Sequence, residues 1–512
     1  MKFAPLCWFV AGLTVPATLS AADIHAISPF EKSPLSGAAR KLAVVPDIYE
    51  TAHFAIAYTT SGVHAVNQAG LGLNSKGVPV VIDSLGKLAE QVWRLAIDTL
   101  GYPAPIPMDS AMGYGAKTRA GKFTIELMDL VSLQSGWADQ GYFGYASRPS
   151  SDPGGLNRLE LLLENDFIEG GSNKPLRVIV DPVNNHGDSV LYDYSKDPLK
   201  GWAVAISHEF YHSLQYHWDA QYLYAFHEMT ATWFATRAFP KIHHEWQYLQ
   251  RFVNHSAQPV FRSDSTYPYE NFPFITALTK SFGEGVLKDL WPDHASKFSG
   301  DEAVWFHGAL LRLKKDESLS NIEYMRSFLM LFGNVSSDLN DKGGLFIKSP
   351  VLKQWRKIED STENSAIAGV TYYGIELVAL NRDQFANGWN VVLVGENDSA
   401  KSVGGIIGLP SKTIHVELPI SGKRYIYGRE PGDTAVVVGT LPSVLGKRLW
   451  TAGFKFTTAA PTWIRSAHPL SLGGSFKHRV DLHGRPVTSS TRGIVLEGDF
   501  KTGWRRKVVV GE

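Results

Sequence analysis

The chain carries the sequence ISHEFYH at residues 206–212, and this stretch contains the pattern H-E-x-x-H. On a helix, His208 and His212 lie one turn apart on the same face, where both imidazoles can bind one metal ion. Glu209 lies about 100° round the helix from His208, close enough to hold a water at that metal. The stretch therefore predicts a helix that presents a catalytic metal site.

Apolar residues around the motif occupy a separate side of the same helix. At about 100° per residue, the motif falls within one sector and the apolar residues within another, which can bury against a sheet. The apolar sector consists of Ala203, Ile206, Phe210 and Leu214. This arrangement is typical of a helix that packs on a core and also faces a cleft. Two surface histidines with a Glu–His pair on the helix are the alternative interpretation.

A catalytic zinc ion usually has three protein ligands and one water, so a third ligand is needed. The metzincin continuation H-x-x-G-x-x-H is absent, because Gln215 and Trp218 stand at the matching positions. A glutamate on a following helix is another arrangement, and Glu228 is the candidate. Small residues on its helical face would let the two helices approach closely. The competing candidates are His217, Asp219, His227 and the group His243, His244 and Glu245.

The motif and a later segment together resemble a known group of enzymes. ISHEFYHSLQY at 206–216, followed by HEMTATW at 227–233, is similar to the gluzincin group of zinc peptidases. More closely, the chain resembles a family of secreted bacterial metalloproteases, most of which are uncharacterised. The likeness covers roughly residues 47–360 and implies a zincin-like domain.

This resemblance implies a chemistry for the motif. His208, His212 and Glu228 would bind a single catalytic Zn²⁺. Glu209 would be the general base toward a zinc-activated water that hydrolyses a peptide bond. Thr232 stands where thermolysin-like gluzincins carry an aspartate beside the ligands. The chain is thereby interpreted as a secreted zinc metalloendopeptidase that acts on a protein or peptide substrate.

Two further segments bear on catalysis. Tyr267 and Tyr269 are candidate hydrogen-bond donors to the oxyanion of the transition state, with aromatic packing as the alternative. The segment GYFGYAS at 141–147 is a candidate edge strand that pairs with an extended substrate. Gly141 and Gly144 would permit close backbone approach. A purely structural hairpin is the alternative for this segment.

The periodicity along the chain predicts an α+β fold. Strand-like segments and one helix, at 84–101, precede the motif, and helical segments follow it. Residues 47–360 form the predicted zincin-like domain, in which a mixed β-sheet is joined to a helical subdomain with the motif. Seven short strands then predict a β-sandwich-like domain over 366–460. Residues 461–512 form a moderately basic C-terminal extension, interpreted as a solvated tail or as extra strands.

The N-terminal residues 1–22 have the features of a secretory signal peptide. Lys2 provides the positive charge, an apolar run follows, and small residues end at Ala22, where cleavage is expected. A membrane anchor is the alternative, which Pro16 within a short apolar stretch disfavours. The expected location is the periplasm, the cell surface or the medium, with no stable membrane span after cleavage. Residues 23–46 are interpreted as an ordered arm or a short leader.

The composition limits the classes of function. The 512 residues are 44% hydrophobic and 20% charged, with 50 basic and 50 acidic side chains and a formal net charge of zero. No overall field would recruit nucleic acid or an anionic membrane. Cys7, the one cysteine, lies in the signal peptide, which disfavours a cysteine-rich structural zinc site in the exported chain. The alternative function is a secreted binding or adhesion protein, whose zinc site is structural or degenerate.

Overall fold

A computed structural model of the protein describes the chain in segments. They comprise residues 47–68, 70–105, 121–130, 143–147, 160–169, 174–175, 177–180, 190–215, 223–242, 244–245, 247–248, 252, 255, 258–261, 267–291, 302–315, 320, 356–358, 375–380, 389–395, 402–409, 414–420, 423–428, 434–440, 452–457, 478–481, 493–499 and 503–509. The predicted signal peptide, the arm at 23–46 and the candidate ligands His217, Asp219 and His243 lie outside the described residues.

The described residues belong to two compact units, divided in the chain near residue 355. The first unit contains a mixed β-sheet and all of the described helices. The second unit consists of β-strands. Mixed helix and strand content of this kind agrees with the predicted α+β class.

A five-stranded sheet forms the base of the first unit, with the order β1-β2-β3-β5-β4. Its strands are β1 (Asp47–Glu50), β2 (Phe54–Tyr58), β3 (Phe123–Met128), β4 (Gly144–Ser147) and β5 (Glu160–Glu164). β2, β3 and β5 run parallel, whereas β1 and β4 are antiparallel to their neighbours. The buried parallel strands explain why their sequences read as nearly continuous apolar runs. Two ribbons accompany the sheet: β6 (Ile168–Glu169) with β7 (Lys174–Pro175), and β8 (Arg177–Val180) with β9 (Val190–Asp193).

Strand β4 lies at one edge of the sheet, as the segment GYFGYAS predicts. It pairs with β5 so that Gly144 is opposite Leu163 and Ala146 is opposite Leu161. The amide of Glu164 donates to the carbonyl of Phe143. Hydrogen-bonded and non-bonded positions alternate in an antiparallel pair, so the backbone groups of Gly144 and Ala146 point away from β5. Among the described residues, no strand pairs with this outer edge.

Among the described residues, seven α-helices belong to the first unit. They are α1 (Val80–Trp93), α2 (Pro198–Gln215), α3 (Tyr224–Ala238), α4 (Tyr267–Glu270), α5 (Phe272–Phe282), α6 (Gly285–Leu290) and α7 (Glu302–Arg312). The helix predicted at 84–101 is present but begins earlier, at Val80. It continues as a π-helical segment, Arg94–Thr99, and Gly101 follows with a φ of 70° that favours glycine. None of the described helices combines the length and apolar character needed to cross a membrane.

Helix α2 carries the motif and is buried from residue 201 to residue 215. Its apolar sector packs on the sheet, where the ring of Phe210 lies 5.7 Å from that of Phe54. On another side α3 covers it, with the rings of Tyr211 and Phe234 stacked 4.8 Å apart. The motif histidines are therefore enclosed by the tertiary structure, which contradicts the alternative of two surface histidines.

The second unit contains all seven strands predicted between residues 366 and 460. They are β11 (Ile375–Leu380), β12 (Trp389–Gly395), β13 (Ser402–Leu409), β14 (Ile414–Ile420), β15 (Lys423–Gly428), β16 (Thr434–Thr440) and β17 (Ala452–Thr457). With β10 (Arg356–Ile358) they form two sheets, of order β10-β11-β16-β13-β14 and β15-β12-β17. The packing of these sheets as a sandwich stays a prediction. The basic extension contains β18 (His478–Asp481), β19 (Gly493–Asp499) and β20 (Gly503–Val509), which favours extra strands over a tail.

Candidate metal centre

Helices α2 and α3 bring three candidate ligands together. Nε2 of His208 lies 3.1 Å from Nε2 of His212 and 3.1 Å from Oε2 of Glu228. Nε2 of His212 lies 3.4 Å from the same oxygen. Within the part of the chain that the structure describes, this is the one group of three or more His, Cys, Asp or Glu side chains that converges closely enough to hold a metal ion.

The triangle of ligand atoms has the dimensions of a zinc site. With bonds of about 2.0–2.1 Å and tetrahedral angles, zinc ligands lie about 3.3 Å apart, close to the three distances in the triangle. Oε1 of Glu228 and Oε2 of Glu209 are buried, and no described residue forms a hydrogen bond with either. Buried polar atoms normally have partners, and an ion with its water would supply them here. The three side chains can therefore hold a metal ion, and their donor set is one that zinc accepts.

Burial and neighbouring charges together set the protonation of the ligands. Burial lowers the pKa of His208. Burial also opposes the charged form of His212, but the Glu228 carboxylate outweighs it and raises the pKa of His212 to about 9. Burial acts against ionised Glu228 too, but His212 and His208 outweigh it and lower the pKa of Glu228 to about 2. Without a metal, the centre at neutral pH is thus an ion pair between Glu228 and protonated His212.

Glu209 lies against the edge strand β4, beside the ligands. Burial raises the pKa of Glu209 to about 8, against the opposing effects of His212 and of the Ala146 amide, which hydrogen-bonds to its carboxylate. A β-carbon added at Gly144 would lie 2.8 Å from Cγ of Glu209 and 3.2 Å from Cδ2 of Leu163. Glycine at this position therefore makes room for Glu209. Sequence reasoning assigned Gly144 to substrate approach and missed this contact, which forms only when α2 packs on β4.

Gln215 is a second residue whose role sequence reasoning missed. Its Oε1 lies 2.6 Å from Nδ1 of His212, and both side chains are fully buried. In the sequence, Gln215 appeared as a mismatch to the metzincin pattern and as part of the stretch ISHEFYHSLQY, with no role assigned to it. Its spacing of three residues from His212 on a helix is the signal that could have identified the contact.

The two candidate tyrosines are placed differently. Tyr269 is buried, and its ring stacks on that of His208 with centroids 5.7 Å apart. Burial, and then the charge of Glu228, raise the pKa of Tyr269 well above its usual value, so its hydroxyl stays protonated and able to donate. Tyr267 begins α4, and its side chain lies outside what the structure describes.

The competing ligand candidates among the described residues lie apart from the triangle. His227 is fully buried, and its ring stacks on that of the ligand candidate His212 with centroids 6.2 Å apart. His244 lies with Nδ1 2.9 Å from the hydroxyl of Tyr194, and burial lowers the pKa of His244 to about 3. Glu245 is buried beside His244. None of the three belongs to the converging group.

A cleft opens beside Glu209, between α2 and α3. His208 and Glu209 form part of its wall, and most of the remaining lining is apolar. The helices contribute small side chains to it, namely Val204 and Ala205 from α2 and Thr232, Ala235 and Thr236 from α3.

Comparison of the chain with protein-family models, with curated proteins and with solved structures finds no match. The membership of the gluzincin group that the motifs imply therefore stays a prediction.

Proposed function

We propose that the chain is a zinc-dependent metalloendopeptidase. One observation carries the proposal: three buried ligand atoms form a triangle with zinc dimensions, and Glu209 lies beside that triangle and against β4, whose outer edge pairs with no described strand. A metal, a proton acceptor and a surface for an extended backbone are the three parts that peptide hydrolysis at zinc requires.

The chemistry divides between the ion and the chain. When bound, zinc would lower the pKa of its water ligand and polarise the scissile carbonyl. Glu209 accepts the proton of the attacking water and delivers it to the leaving amine. The pKa of about 8 in the metal-free chain means that this site readily stabilises the protonated carboxyl. That is the form of Glu209 that must exist between accepting the proton and delivering it.

The outer edge of β4 is the proposed binding site for the substrate backbone. The backbone groups of Gly144 and Ala146 point away from β5, and the Ala146 amide already reaches Glu209. A peptide that adds to this edge as a further strand would therefore run past the general base. Strand addition holds a substrate through its main chain, so it is compatible with many sequences.

The adjoining cleft is the proposed site for one substrate side chain. Its lining is mainly apolar, and it lies beside Glu209. Burial of apolar surface contributes roughly 25 cal/mol per Å². An apolar side chain next to the scissile bond is accordingly expected to bind best.

Metal content and proteolysis of three chains test the proposal. The exported chain should contain about one zinc ion and cleave an unfolded protein. Glu209→Gln should keep its zinc while cleavage falls about 10²–10⁴-fold, because an amide cannot accept the proton. His212→Ala should lose zinc and activity together. Zinc with unchanged cleavage in Glu209→Gln would refute the assigned base, and a zinc-loaded parent without cleavage would favour the binding or adhesion alternative.

A further inference from the structure

We infer that Gln215 is a positioning residue for two of the three ligands, because it orients His212 and also ties the helix that carries Glu228 to α2. The inference rests on the metal centre of the proposed function. It does not depend on the reaction that the centre performs.

The contact to His212 determines which of its ring nitrogens is left to bind a metal. Gln215 is the last residue of α2, one turn beyond His212, and its Oε1 lies 2.6 Å from Nδ1 of the imidazole. An amide oxygen can only accept a hydrogen bond, so Nδ1 carries the hydrogen. Nε2, the nitrogen in the ligand triangle, is then the one that binds a metal. Such an outer hydrogen bond fixes the ring orientation of a ligand histidine.

The other end of the amide settles which way Gln215 points. Its Nε2 lies 2.7 Å from Oγ1 of Thr230 and 3.0 Å from the backbone carbonyl of His227. The Thr230 hydroxyl donates to the carbonyl of Phe226 at 2.6 Å, so its oxygen is left to accept from Gln215. The reversed amide would place its oxygen against the His227 carbonyl. The hydrogen-bond network therefore assigns the amide in one orientation.

The two acceptors flank the third ligand on α3. His227 precedes Glu228 directly, and Thr230 follows it by two residues. Hydrogen bonds from Gln215 to both hold this turn of α3 beside the turn of α2 that carries His212. The distances of the ligand triangle are thus maintained by the chain itself, before any metal binds. A leucine in this position could make neither contact, and a glutamate could make only the one to His212.

Zinc affinity and the absorption spectrum of bound cobalt(II) test this inference. Loss of a residue that hydrogen-bonds to a metal ligand typically weakens metal binding about 10–100-fold. The zinc affinity of Gln215→Leu should be reduced by a factor in that range. Its cobalt spectrum should change as well, because the ligands are no longer held in one geometry. Thr230→Val removes one contact to α3 and should weaken binding less.

Two further variants separate positioning from general stability. Gln215→Glu keeps the acceptor for His212, so its zinc affinity and cobalt spectrum should lie between those of the parent and Gln215→Leu. Gln247→Leu is the matched control, because Gln247 contacts His244, which is not a ligand, at 2.7 Å. It should bind zinc as tightly as the parent. Thermal unfolding of each metal-free chain identifies any variant that fails to fold, and the Thr230 and Glu variants then carry the test.

A folded Gln215→Leu chain with the zinc affinity and cobalt spectrum of the parent would overturn the inference. A parent that binds no zinc would overturn both the metal centre and this role. A parent that binds zinc but cleaves no peptide would overturn only the peptidase proposal, and an affinity loss in Gln215→Leu would still support the role of Gln215.

Discussion

The two buried carboxylates of the centre, Glu228 and Glu209, have opposite protonation preferences although both are close to His212. Glu228 and its two histidines form what we call the ligand corner, where the pKa of Glu228 falls to about 2. Glu209, Gly144 and Ala146 form the base corner, where the pKa of Glu209 rises to about 8. A pair of groups whose pKa values are pushed apart indicates an assignment of acid and base roles.

The difference between the corners comes from what each carboxylate faces. Two imidazoles lie within 3.4 Å of Oε2 of Glu228, so its negative charge is compensated. Glu209 faces an apolar cleft and a strand edge, and one backbone amide offsets little of the cost of burial. The ligand corner is thus suited to holding a cation, whereas the base corner is suited to holding a proton.

The largest effect is expected at Tyr269, which stacks on the ligand corner and shares the lining of the cleft with the base corner. Its ring stacks on His208, and it lines the cleft with Glu209. If its hydroxyl donates to the oxyanion, Tyr269→Phe should lower kcat/KM about 10²–10³-fold and leave zinc content unchanged. Tyr49→Phe removes a tyrosine hydroxyl that hydrogen-bonds to Asp83, away from the cleft, and serves as control. Equal kcat/KM for both variants would mean that Tyr269 contributes aromatic packing and no hydrogen bond to the oxyanion.

A change at Gly144 should damage the base corner alone. In Gly144→Ala the new β-carbon would meet Cγ of Glu209 at 2.8 Å, so the carboxylate must shift. A displacement of about 1 Å costs up to about 10²-fold in rate, and kcat should fall by about that factor with zinc retained. Gly308→Ala in α7 is the control, since its β-carbon would make only an ordinary contact, at 3.4 Å. Full activity in Gly144→Ala would show that Glu209 does not need its present position.

Zinc binding should depend on pH through the ligand corner. Below a pKa of about 9 His212 carries a proton in the metal-free chain, and zinc must displace it. Affinity should therefore rise about tenfold per pH unit up to about pH 9, with about one proton released from His212 per ion. Calorimetry in buffers of different ionisation enthalpy measures the proton count. A pH-independent affinity between pH 6 and 8 would contradict the ion pair.

The same pKa values predict the stability of the metal-free chain. The raised pKa of His212 adds stability that is complete below about 6.5 and lost as the pH rises through about 9. The lowered pKa of Glu228 adds stability that is present above about 4.5 and lost as the pH falls through about 2. Glu209 becomes costly as the pH rises from about 4.5 to about 8. Metal-free chains should thus unfold at a lower temperature at pH 9 than at pH 6. The unfolding temperature of zinc-loaded chains should fall less over the same pH range.

The smallest effect is expected at Ala235, a residue of the cleft wall that belongs to neither corner. Ala235→Leu adds bulk to its wall and should disfavour large apolar substrate side chains over small ones. A change of a few methylenes in such a pocket shifts preference about tenfold or more. Cleavage of peptides whose side chains range from Gly to Phe at each position around the scissile bond would measure this preference. An unaltered preference would place the selecting pocket elsewhere.

Much of this centre follows from local spacing. The positions of His208 and His212 on one helix face, and the small residues around Glu228, already indicate helices that could share a metal. The strand pattern of the second unit was also predictable, because alternation and turn residues are local signals. In contrast, the start of α1 at Val80 was missed, because the helical periodicity was recognised only from residue 84 onward.

The sequence by itself determined which residues can be ligands and base, because side-chain chemistry and helical spacing are properties of a few neighbouring residues. Only the tertiary structure decided how those residues behave. The contact between Gly144 and Glu209, the link from Gln215 to Thr230 and the opposite pKa values of Glu228 and Glu209 all depend on elements that meet after folding. Burial and charge at close range set these properties, and neither can be read from one segment of the chain.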